Sequence, residues 1–258
     1  MCGIVGYIGT KNATPIILEG LKRLEYRGYD SAGIAILQDG QIEIRREEGK
    51  LSKLAAMVQV NPVEGSLGIG HTRWATHGVP TARNAHPHVS NSKEVVVVHN
   101  GIVENFLELK AELQAEGITF KSDTDSEVIV QLIEKHLHES DGLVEAFVKT
   151  LKRLKGAHGI VTFSVNEPDK LVTARIGNAG GVVIGYGEGE MFIASDVPAI
   201  REHTRTVSFL ESQQMAVVTR VGVEVTTFDG RPVDVKPSVI AWDPIAAEKG
   251  EYRHFMQK

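Results

Sequence analysis

The sequence predicts an α+β fold in which two antiparallel sheets stack around a central group of helical segments. Three observations carry this prediction. Segments rich in β-forming residues occur in two blocks, before residue 102 and from 159 to 228, and the segments between the blocks have helical spacing. The chain also lacks the regular alternation of strand and helix that is typical of a parallel sheet.

The first block combines short apolar strands with two amphipathic helices. Asp39-Gly40 joins two alternating segments and is a strong hairpin signal. The valine run that begins at Val95 is typical of a strand covered on both faces. The predicted elements are strands at 3–8, 31–38, 41–46, 66–72 and 95–99, and helices within 14–27 and 51–58.

The central block is helical, and short strands follow it. Gly117 is a good C-cap for the first helix, and residues 122–127 (SDTDSE) are a cluster of good N-cap types for the second. The tail at 233–258 has no clear period and is interpreted as extended. The predicted elements are helices at 104–116, after 122–127 and at 143–154, and strands at 160–165, 171–176, 181–184, 191–194, 215–219 and 224–228.

Composition narrows the function classes. The 258 residues carry a net charge of −5, which offers no general attraction for nucleic acid or an anionic membrane. No apolar run approaches the 18 or so residues that span a bilayer, and the first residues lack a secretory signal. A single cysteine excludes an intramolecular disulfide and a cysteine-based metal cluster. These features indicate a cytoplasmic enzyme or binding domain.

The single cysteine directly follows the initiator methionine. Removal of Met1, which is usual before a small residue, would leave Cys2 with a thiol nucleophile and a free α-amine in one residue. That amine has a pKa of about 7.7–8.0 in model peptides, so it can accept and return a proton near neutral pH. The alternative is a small buried thiol that happens to be second in the chain.

Two further motifs combine polar side chains with glycine. Residues 71–78 (HTRWATHG) leave a predicted strand and resemble a binding loop, although Arg73 alone could be a surface charge. Residues 95–101 (VVVVHNG) end in Asn100-Gly101, which places a side-chain amide beside an unhindered backbone N–H. Two such donors can form an oxyanion hole, but Asn-Gly is also a common turn dipeptide.

Taken together, residues 2–6 (CGIVG), 71–78 and 99–101 (HNG) resemble the class II, or N-terminal nucleophile, glutamine amidotransferase domains. The resemblance covers essentially the whole chain. It implies a four-layer αββα fold, with two stacked antiparallel sheets between layers of helices. It also implies hydrolysis of L-glutamine to glutamate and ammonia without a cofactor or metal.

The resemblance assigns a role to each candidate site residue. Cys2 would attack the glutamine side chain, and Asn100 and Gly101 would bind the oxyanion. Arg73 would hold the substrate carboxylate, for which its planar fork is well suited. Asp125 would hold the ammonium group, and it could also cap a helix; its neighbour Asp123 fits the family pattern less well.

The remaining candidates surround these groups. Thr76, His77 and Gly78 resemble the loop that closes over glutamine. Trp74 resembles the residue that gates an ammonia passage in full-length members and is also a candidate substrate contact. Arg27 resembles a family residue near the nucleophile, where structural and catalytic roles are both open.

Residues 23–33 (RLEYRGYDSAG) and 252–258 (YRHFMQK) resemble one branch of the family, in which a sugar-phosphate isomerase domain follows the glutaminase. Full-length members would use the ammonia to convert fructose 6-phosphate to glucosamine 6-phosphate. The expected division is a glutaminase domain at 2–240 and the start of a linker at 241–258. A homodimer is one state open to the full-length protein.

Three alternatives make different demands on the sequence. The glutaminase domain of another amidotransferase, such as the phosphoribosylpyrophosphate or asparagine enzymes, would lack the 23–33 and 252–258 motifs. An N-terminal cysteine acylase for other amides would not need Arg73 and Asp125. A degenerate binding or regulatory domain would be expected to lose Cys2, Arg73 or Asn100, yet all three are present.

Overall fold

The computed structural model describes residues 2–75, 77–178 and 180–240. Its strands are divided between two sheets, and the chain passes from one sheet to the other several times. The strands are β1 Gly3–Ile8, β2 Ser31–Gln38, β3 Gln41–Glu48, β4 Leu67–Arg73, β5 His88–Val89, β6 Val95–Gly101, β7 His158–Ser164, β8 Glu167–Ile176, β9 Val183–Tyr186, β10 Met191–Ala194, β11 Thr206–Phe209, β12 Gln214–Thr219, β13 Gly222–Thr227 and β14 Ser238–Val239. The helices are α1 Ala13–Arg23, α2 Leu51–Val60, α3 Phe106–Ala115, α4 Glu127–Leu137 and α5 Leu143–Leu151.

The strands form two fully antiparallel sheets. The first sheet has the order β14-β11-β9-β10-β1-β4-β2-β3, and the second has the order β13-β12-β8-β7-β6-β5. The N-terminal strand β1 therefore lies inside the first sheet, between β10 and β4. This position carries the start of the chain into the body of the protein.

Alternate residues of single strands supply three hydrophobic layers. On β6, Val95 and Val97 pack with helices α3–α5, whereas Val96 and Val98 pack between the two sheets. On β1, Val5 packs with α1 and α2, whereas Ile4 faces the second sheet. This period of two explains the uninterrupted valine run, because both faces of β6 are buried. The α+β prediction and the implied four-layer order are confirmed.

Several predicted boundaries were wrong. The helix expected within 14–27 ends at Arg23, and a 3₁₀ turn at Glu25–Arg27 follows it. The helix predicted at 104–116 is shorter at both ends, since α3 spans Phe106–Ala115. The helix predicted at 143–154 is shorter at its C-terminal end, since α5 spans Leu143–Leu151. Strand β6 continues through Gly101, so the turn alternative for Asn100-Gly101 is wrong.

Three short strands, β5, β11 and β14, are present in the structure and were not predicted from the sequence. The expectation of an extended tail from 233 was wrong for its first residues. Val233 N–H donates to Val225 O at 2.8 Å, and β14 pairs with β11 at the edge of the first sheet. Edge pairings of two to four residues leave little periodicity to detect. The predicted linker at 241–258 lies outside the described residues.

None of the helices in the described part of the chain is long and apolar enough to cross a membrane.

Candidate active site

Cys2 lies at the point where the first sheet opens into a cleft. Gly3 on β1 pairs with Thr72 on β4, which places Cys2 opposite Arg73. The Trp74 N–H donates to Cys2 Sγ at 3.2 Å. A side chain on Gly3 could not be accommodated, because its Cβ would lie 2.6 Å from Thr72 Oγ1 and 2.8 Å from Leu24 Cβ. Glycine at this position therefore lets Cys2 approach the end of β4.

The surroundings of Cys2 keep its sulfur protonated. Burial raises the pKa of the thiol above its ordinary value, and the hydrogen bond from Trp74 only partly opposes this effect. A thiol in this state needs a base when it attacks a carbon atom.

Asn100 reaches Cys2 from the other sheet. It lies near the end of β6, and its Nδ2 donates to the Cys2 carbonyl oxygen at 3.1 Å. Gly101 follows at φ +142°, where an added Cβ would lie 2.2 Å from Ala157 O. A side chain is therefore excluded at 101 by both backbone conformation and space.

Arg27 also contacts the backbone of Cys2. Its Nε donates to the Cys2 carbonyl oxygen at 3.2 Å, and its Nη1 lies 2.8 Å from Asp196 Oδ2. The guanidinium is buried, with only 8% of the residue exposed. Tyr26 donates to the same Asp196 oxygen at 2.9 Å. These contacts hold the Arg27 side chain against the backbone of Cys2.

Arg73 and Asp125 place opposite charges in one recess beside Cys2. Both residues are 4% exposed, so the alternative of a surface charge for Arg73 is wrong. Asp125 Oδ2 accepts the Val103 N–H at 2.7 Å. The side chain of Asp125 thus bonds to the segment after β6. The Asp125 side chain does not cap a helix, because α4 begins at Glu127 and Ser126 is its N-cap residue.

Asp123 is a poor candidate for the same recess. Its side chain is half exposed and forms an ion pair with Arg83, which holds the pKa of the Asp123 carboxyl below its usual value together with a hydrogen bond from Asn84. The choice between the two aspartates made on the sequence pattern agrees with this placement.

The recess is almost filled. Its volume is about 20 Å³, and its wall includes Cys2, Arg73, Gly101 and Asp125. The Arg73 Nη2 donates to the carbonyl oxygens of His77 and Gly78, the latter at 3.2 Å, and its Nη1 has no partner among the described residues. A ligand carboxylate would therefore satisfy a buried donor and replace backbone carbonyls of the following loop.

That loop contains the other predicted substrate contacts. Trp74 is half exposed and packs edge-on against Tyr29, with ring centroids 5.7 Å apart. The His77 ring packs edge-on against Phe106 at 5.4 Å. Gly78 has φ +75°, and an added Cβ would lie 2.8 Å from Asn84 Nδ2. Thr76 lies outside the described residues.

A larger cavity of about 530 Å³ adjoins the recess and shares Cys2, Trp74 and Gly101 with it. The site residues Cys2, Arg27, Trp74, Asn100 and Gly101 border it. Its far wall is formed by Ile102, Glu104, Ala157, Asn178 and Gly180.

Five buried histidines lie behind the ends of β4 and β6, and sequence analysis assigned none of them a role. Burial lowers the pKa of every one, that of His71 to about 3. All five are therefore neutral at physiological pH. His71 and His99 lie in the motifs around Arg73 and Asn100. His86 and His88 form a His-Pro-His segment whose spacing lacks the further ligands of a metal site, which favours a structural role. The five are His71, His86, His88, His99 and His158.

The family is decided by a comparison with known domain families. The family model described as "Glutamine amidotransferase domain" matches residues 58–229. The chain belongs to the glutamine amidotransferase family. The match includes the ends of β4 and β6 with Arg73, Asn100 and Asp125.

Curated relatives of this amidotransferase chain carry a more specific name. Proteins named glutamine–fructose-6-phosphate aminotransferase (isomerizing) from Aquifex aeolicus and Caldanaerobacter subterraneus are 47% and 50% identical to it over all 258 residues. The relative from Thermus thermophilus is 48% identical over the same length. The chain spans only 42–43% of the length of these relatives.

Solved structures confirm the N-terminal nucleophile hydrolase fold of this amidotransferase domain. Glutamine phosphoribosylpyrophosphate amidotransferase from B. subtilis superposes with a TM-score of 0.76 at 26% identity, covering 88% of this chain and 49% of that one. A class II glutamine aminotransferase domain protein from Silicibacter pomeroyi superposes with a TM-score of 0.61 at 19% identity, covering 88% and 99%. The second likeness concerns the fold alone.

Proposed function

We propose that the chain hydrolyses L-glutamine to L-glutamate and ammonia through a γ-glutamyl thioester on Cys2. The observation that carries the proposal is the convergence of a thiol, an amide donor and two opposite charges. The Cys2 thiol and Asn100 border one cavity, and Arg73 and Asp125 line the recess that adjoins it at Cys2. Free glutamine is a zwitterion whose side chain ends in an amide, so it needs each of these groups.

The two charged side chains hold the ends of the substrate. Arg73 offers a buried N–H pair to the α-carboxylate once the loop carbonyls of His77 and Gly78 give way. Asp125 keeps one carboxylate oxygen for the α-ammonium group, because the other accepts from Val103. An acylase for simple amides would have no use for this pair.

The chemical step begins when Cys2 Sγ attacks the side-chain amide carbon. The thiol proton passes to the Cys2 α-amine, which Met1 removal would free. The carbonyl oxygen becomes an oxyanion, and Asn100 can stabilise it with its second amide hydrogen because only one is needed for the Cys2 carbonyl. The Gly101 N–H is the second proposed donor.

The intermediate then breaks down to products. The C–N bond breaks, and nitrogen leaves as ammonia with the proton held by the amine. Water attacks the resulting thioester, the C–S bond breaks, and the thiol regains its proton as glutamate is released. No group outside the chain, the substrate and water is required.

We propose further that this ammonia serves a second domain of a longer protein. The relatives named aminotransferases are more than twice as long as this chain. In that setting residues 241–258 would begin the linker to a sugar-phosphate isomerase domain, Trp74 would gate the ammonia, and fructose 6-phosphate would become glucosamine 6-phosphate. A cytoplasmic location and a full-length homodimer remain predictions.

Labelling tests the proposed nucleophile directly. We expect intact-mass spectrometry to show a chain without Met1, and 6-diazo-5-oxo-L-norleucine to add once, at Cys2. Excess L-glutamate should protect Cys2, whereas D-glutamate should not, because Arg73 and Asp125 hold one configuration. Retention of Met1 in an active preparation would contradict the proposed base, and modification at another residue would contradict the proposed nucleophile.

Asn100→Ala tests the oxyanion role. We expect kcat to fall by about 10²–10³-fold, as for other oxyanion donors, with little change in KM because Asn100 does not hold the substrate's charged ends. Steady-state glutaminase kinetics measure both constants. A change confined to KM would instead make Asn100 a substrate-binding residue.

A further inference from the structure

The amide of Asn100 is held from behind by a histidine of the opposite sheet. His71 lies on β4 in the first sheet, where it pairs with Ile4, and Asn100 lies on β6 in the second. His71 Nε2 is 3.1 Å from Asn100 Oδ1 and 3.1 Å from the His99 carbonyl oxygen. This contact joins the two sheets directly beside the proposed nucleophile.

The partners of His71 determine its tautomer. Both contacts of Nε2 are with carbonyl oxygens, which only accept hydrogen bonds, so Nε2 carries the hydrogen and is shared between them. Nδ1 is then a bare acceptor, and it is buried without a partner among the described residues. An apolar ring would avoid that unpaired atom. It would also leave the two carbonyl oxygens without their donor, so the hydrogen bonds of Nε2, and not packing alone, account for a histidine at this position.

The same bonds determine how the Asn100 amide is oriented. Its Nδ2 faces the carbonyl oxygen of Cys2, and its Oδ1 faces the N–H of His71. The reversed amide would set two oxygens 3.1 Å apart and would turn an N–H toward the N–H of His71. Only one orientation is thus compatible with its neighbours, and it is the one that directs the amide hydrogens toward Cys2.

The second acceptor of the His71 N–H is the carbonyl oxygen of His99, and a series of hydrogen bonds with one defined direction holds the His99 side chain. His158 Nε2 is 3.2 Å from Lys155 O, an acceptor, so His158 Nδ1 accepts from His99 Nε2 at 3.0 Å. His99 Nδ1 must then accept from Ser126 Oγ, at 2.8 Å. The Lys155 carbonyl oxygen at the end of this series therefore determines which nitrogen of His158 and of His99 carries the hydrogen. The end of β6 is consequently anchored to the start of α4.

We propose that His71 is a positioning residue that orients the Asn100 amide as the oxyanion donor. The proposal rests on the proposed glutaminase function. His71 does not touch the substrate in this assignment; it acts through Asn100.

His71→Phe removes the donor and keeps a planar ring of similar size. We expect kcat to fall by about 10–10³-fold, with the loss of the oxyanion donor itself as the upper limit, and KM to change by less than about threefold. Alkylation of Cys2 by iodoacetamide needs no oxyanion hole and should keep its rate; Cys2 is the only cysteine, so this readout is specific. His71→Gln restores an N–H and should recover part of the lost kcat. A higher KM with unchanged kcat would overturn the proposal.

The double variant His71→Phe/Asn100→Ala separates positioning from general damage. If His71 acts through Asn100, the double variant should have the kcat of Asn100→Ala alone. Independent, multiplicative losses would overturn the proposal. His203→Phe is the matched control, since it makes the same exchange where His203 stacks on Phe192, and it should leave kcat unchanged.

A structural readout keeps this test separate from the proposed function. The ¹H–¹⁵N resonances of the Asn100 side-chain amide should shift and broaden in His71→Phe and stay unchanged in His203→Phe. Unchanged resonances in His71→Phe would overturn the inference even in an active enzyme. Absence of glutamine hydrolysis by the unmodified protein would instead refute the proposed function, while the amide resonances would still show whether His71 holds Asn100.

Discussion

Replacing Cys2 with alanine is expected to abolish glutamine hydrolysis and to leave glutamine binding intact. The substitution removes the only thiol of the chain, and in covalent enzymes the loss of the nucleophile lowers kcat by about 10⁴–10⁶-fold. The groups proposed to hold the substrate, Arg73 and Asp125, are untouched. The Cys2 backbone contacts with Arg27 and Asn100 involve the carbonyl oxygen, which alanine retains.

Two measurements check this expectation on the same preparation. Ammonia release measures turnover, and isothermal titration measures binding of glutamine to the Cys2→Ala protein. Cys2→Ser is the matched variant: it keeps a nucleophile of similar shape but lower reactivity, so its activity should lie between the two. Residual turnover above the uncatalysed rate is expected from the remaining binding groups. Turnover by Cys2→Ala comparable to that of the unmodified protein would rule out the thioester mechanism, and loss of binding together with turnover would show that the variant is misfolded.

The second large effect concerns stability in mild acid. The buried histidines are neutral in the fold because burial lowers their pKa values, whereas in the unfolded chain they titrate near 6.5. Below pH 6.5 the unfolded state therefore binds more protons than the folded state, and the free energy of unfolding falls as the pH falls. The stability is fully present above pH 6.5 and declines toward pH 3 for His71.

The size of the effect follows from the number of groups. Each histidine that stays neutral contributes a slope of up to about 1.4 kcal/mol per pH unit, so the four whose pKa values lie furthest below the ordinary value, His71, His86, His88 and His99, together approach about 5 kcal/mol per pH unit. That is comparable to the whole stability of a typical domain, about 5–15 kcal/mol. Burial opposes ionisation of Glu134, but hydrogen bonds from Ser92 hold the pKa of its carboxyl below the usual value, so carboxyl groups of this kind act only at lower pH.

Urea unfolding between pH 7.5 and 5.0 measures this slope. We expect the urea midpoint to fall steeply below pH 6.5. His88→Phe should reduce the slope of the unfolding free energy against pH by the contribution of about one proton. His138→Gln is the control, because His138 is exposed at the end of α4, and it should leave the slope unchanged. A midpoint that stays constant from pH 7 to 5.5 would show that the buried histidines do not remain neutral in the fold.

The sequence predicted the middle of most elements and failed at their ends. The valine run of β6 and the Asp39-Gly40 hairpin carry strong local signals, because side-chain alternation and turn chemistry depend on near neighbours. The residues after Val98 carry no such signal. Asn100-Gly101 has the composition of a turn, yet β7 pairs with it and extends the strand. The partner strand starts almost sixty residues later in the chain, so local reasoning could not include it.

Some residues of the candidate site could likewise be predicted from the sequence, and others could not. The resemblance indicated Cys2, Arg73, Asn100 and Asp125 by residue type and motif order, and the structure places all four around two adjoining cavities. The resemblance gave no role to Asp196, which pairs with Arg27, because no motif joins residues 169 positions apart.

The α+β class, the family and the residue types of the candidate site could be inferred from the sequence alone, because these depend on residue types and their order. The orientation of those side chains follows from contacts between distant parts of the chain. The tautomer of His71 and the direction of the Asn100 amide depend on acceptors that two separate sheets bring within 3.1 Å. Hydrogen-bond direction is a property of the assembled partners, and no single strand carries it.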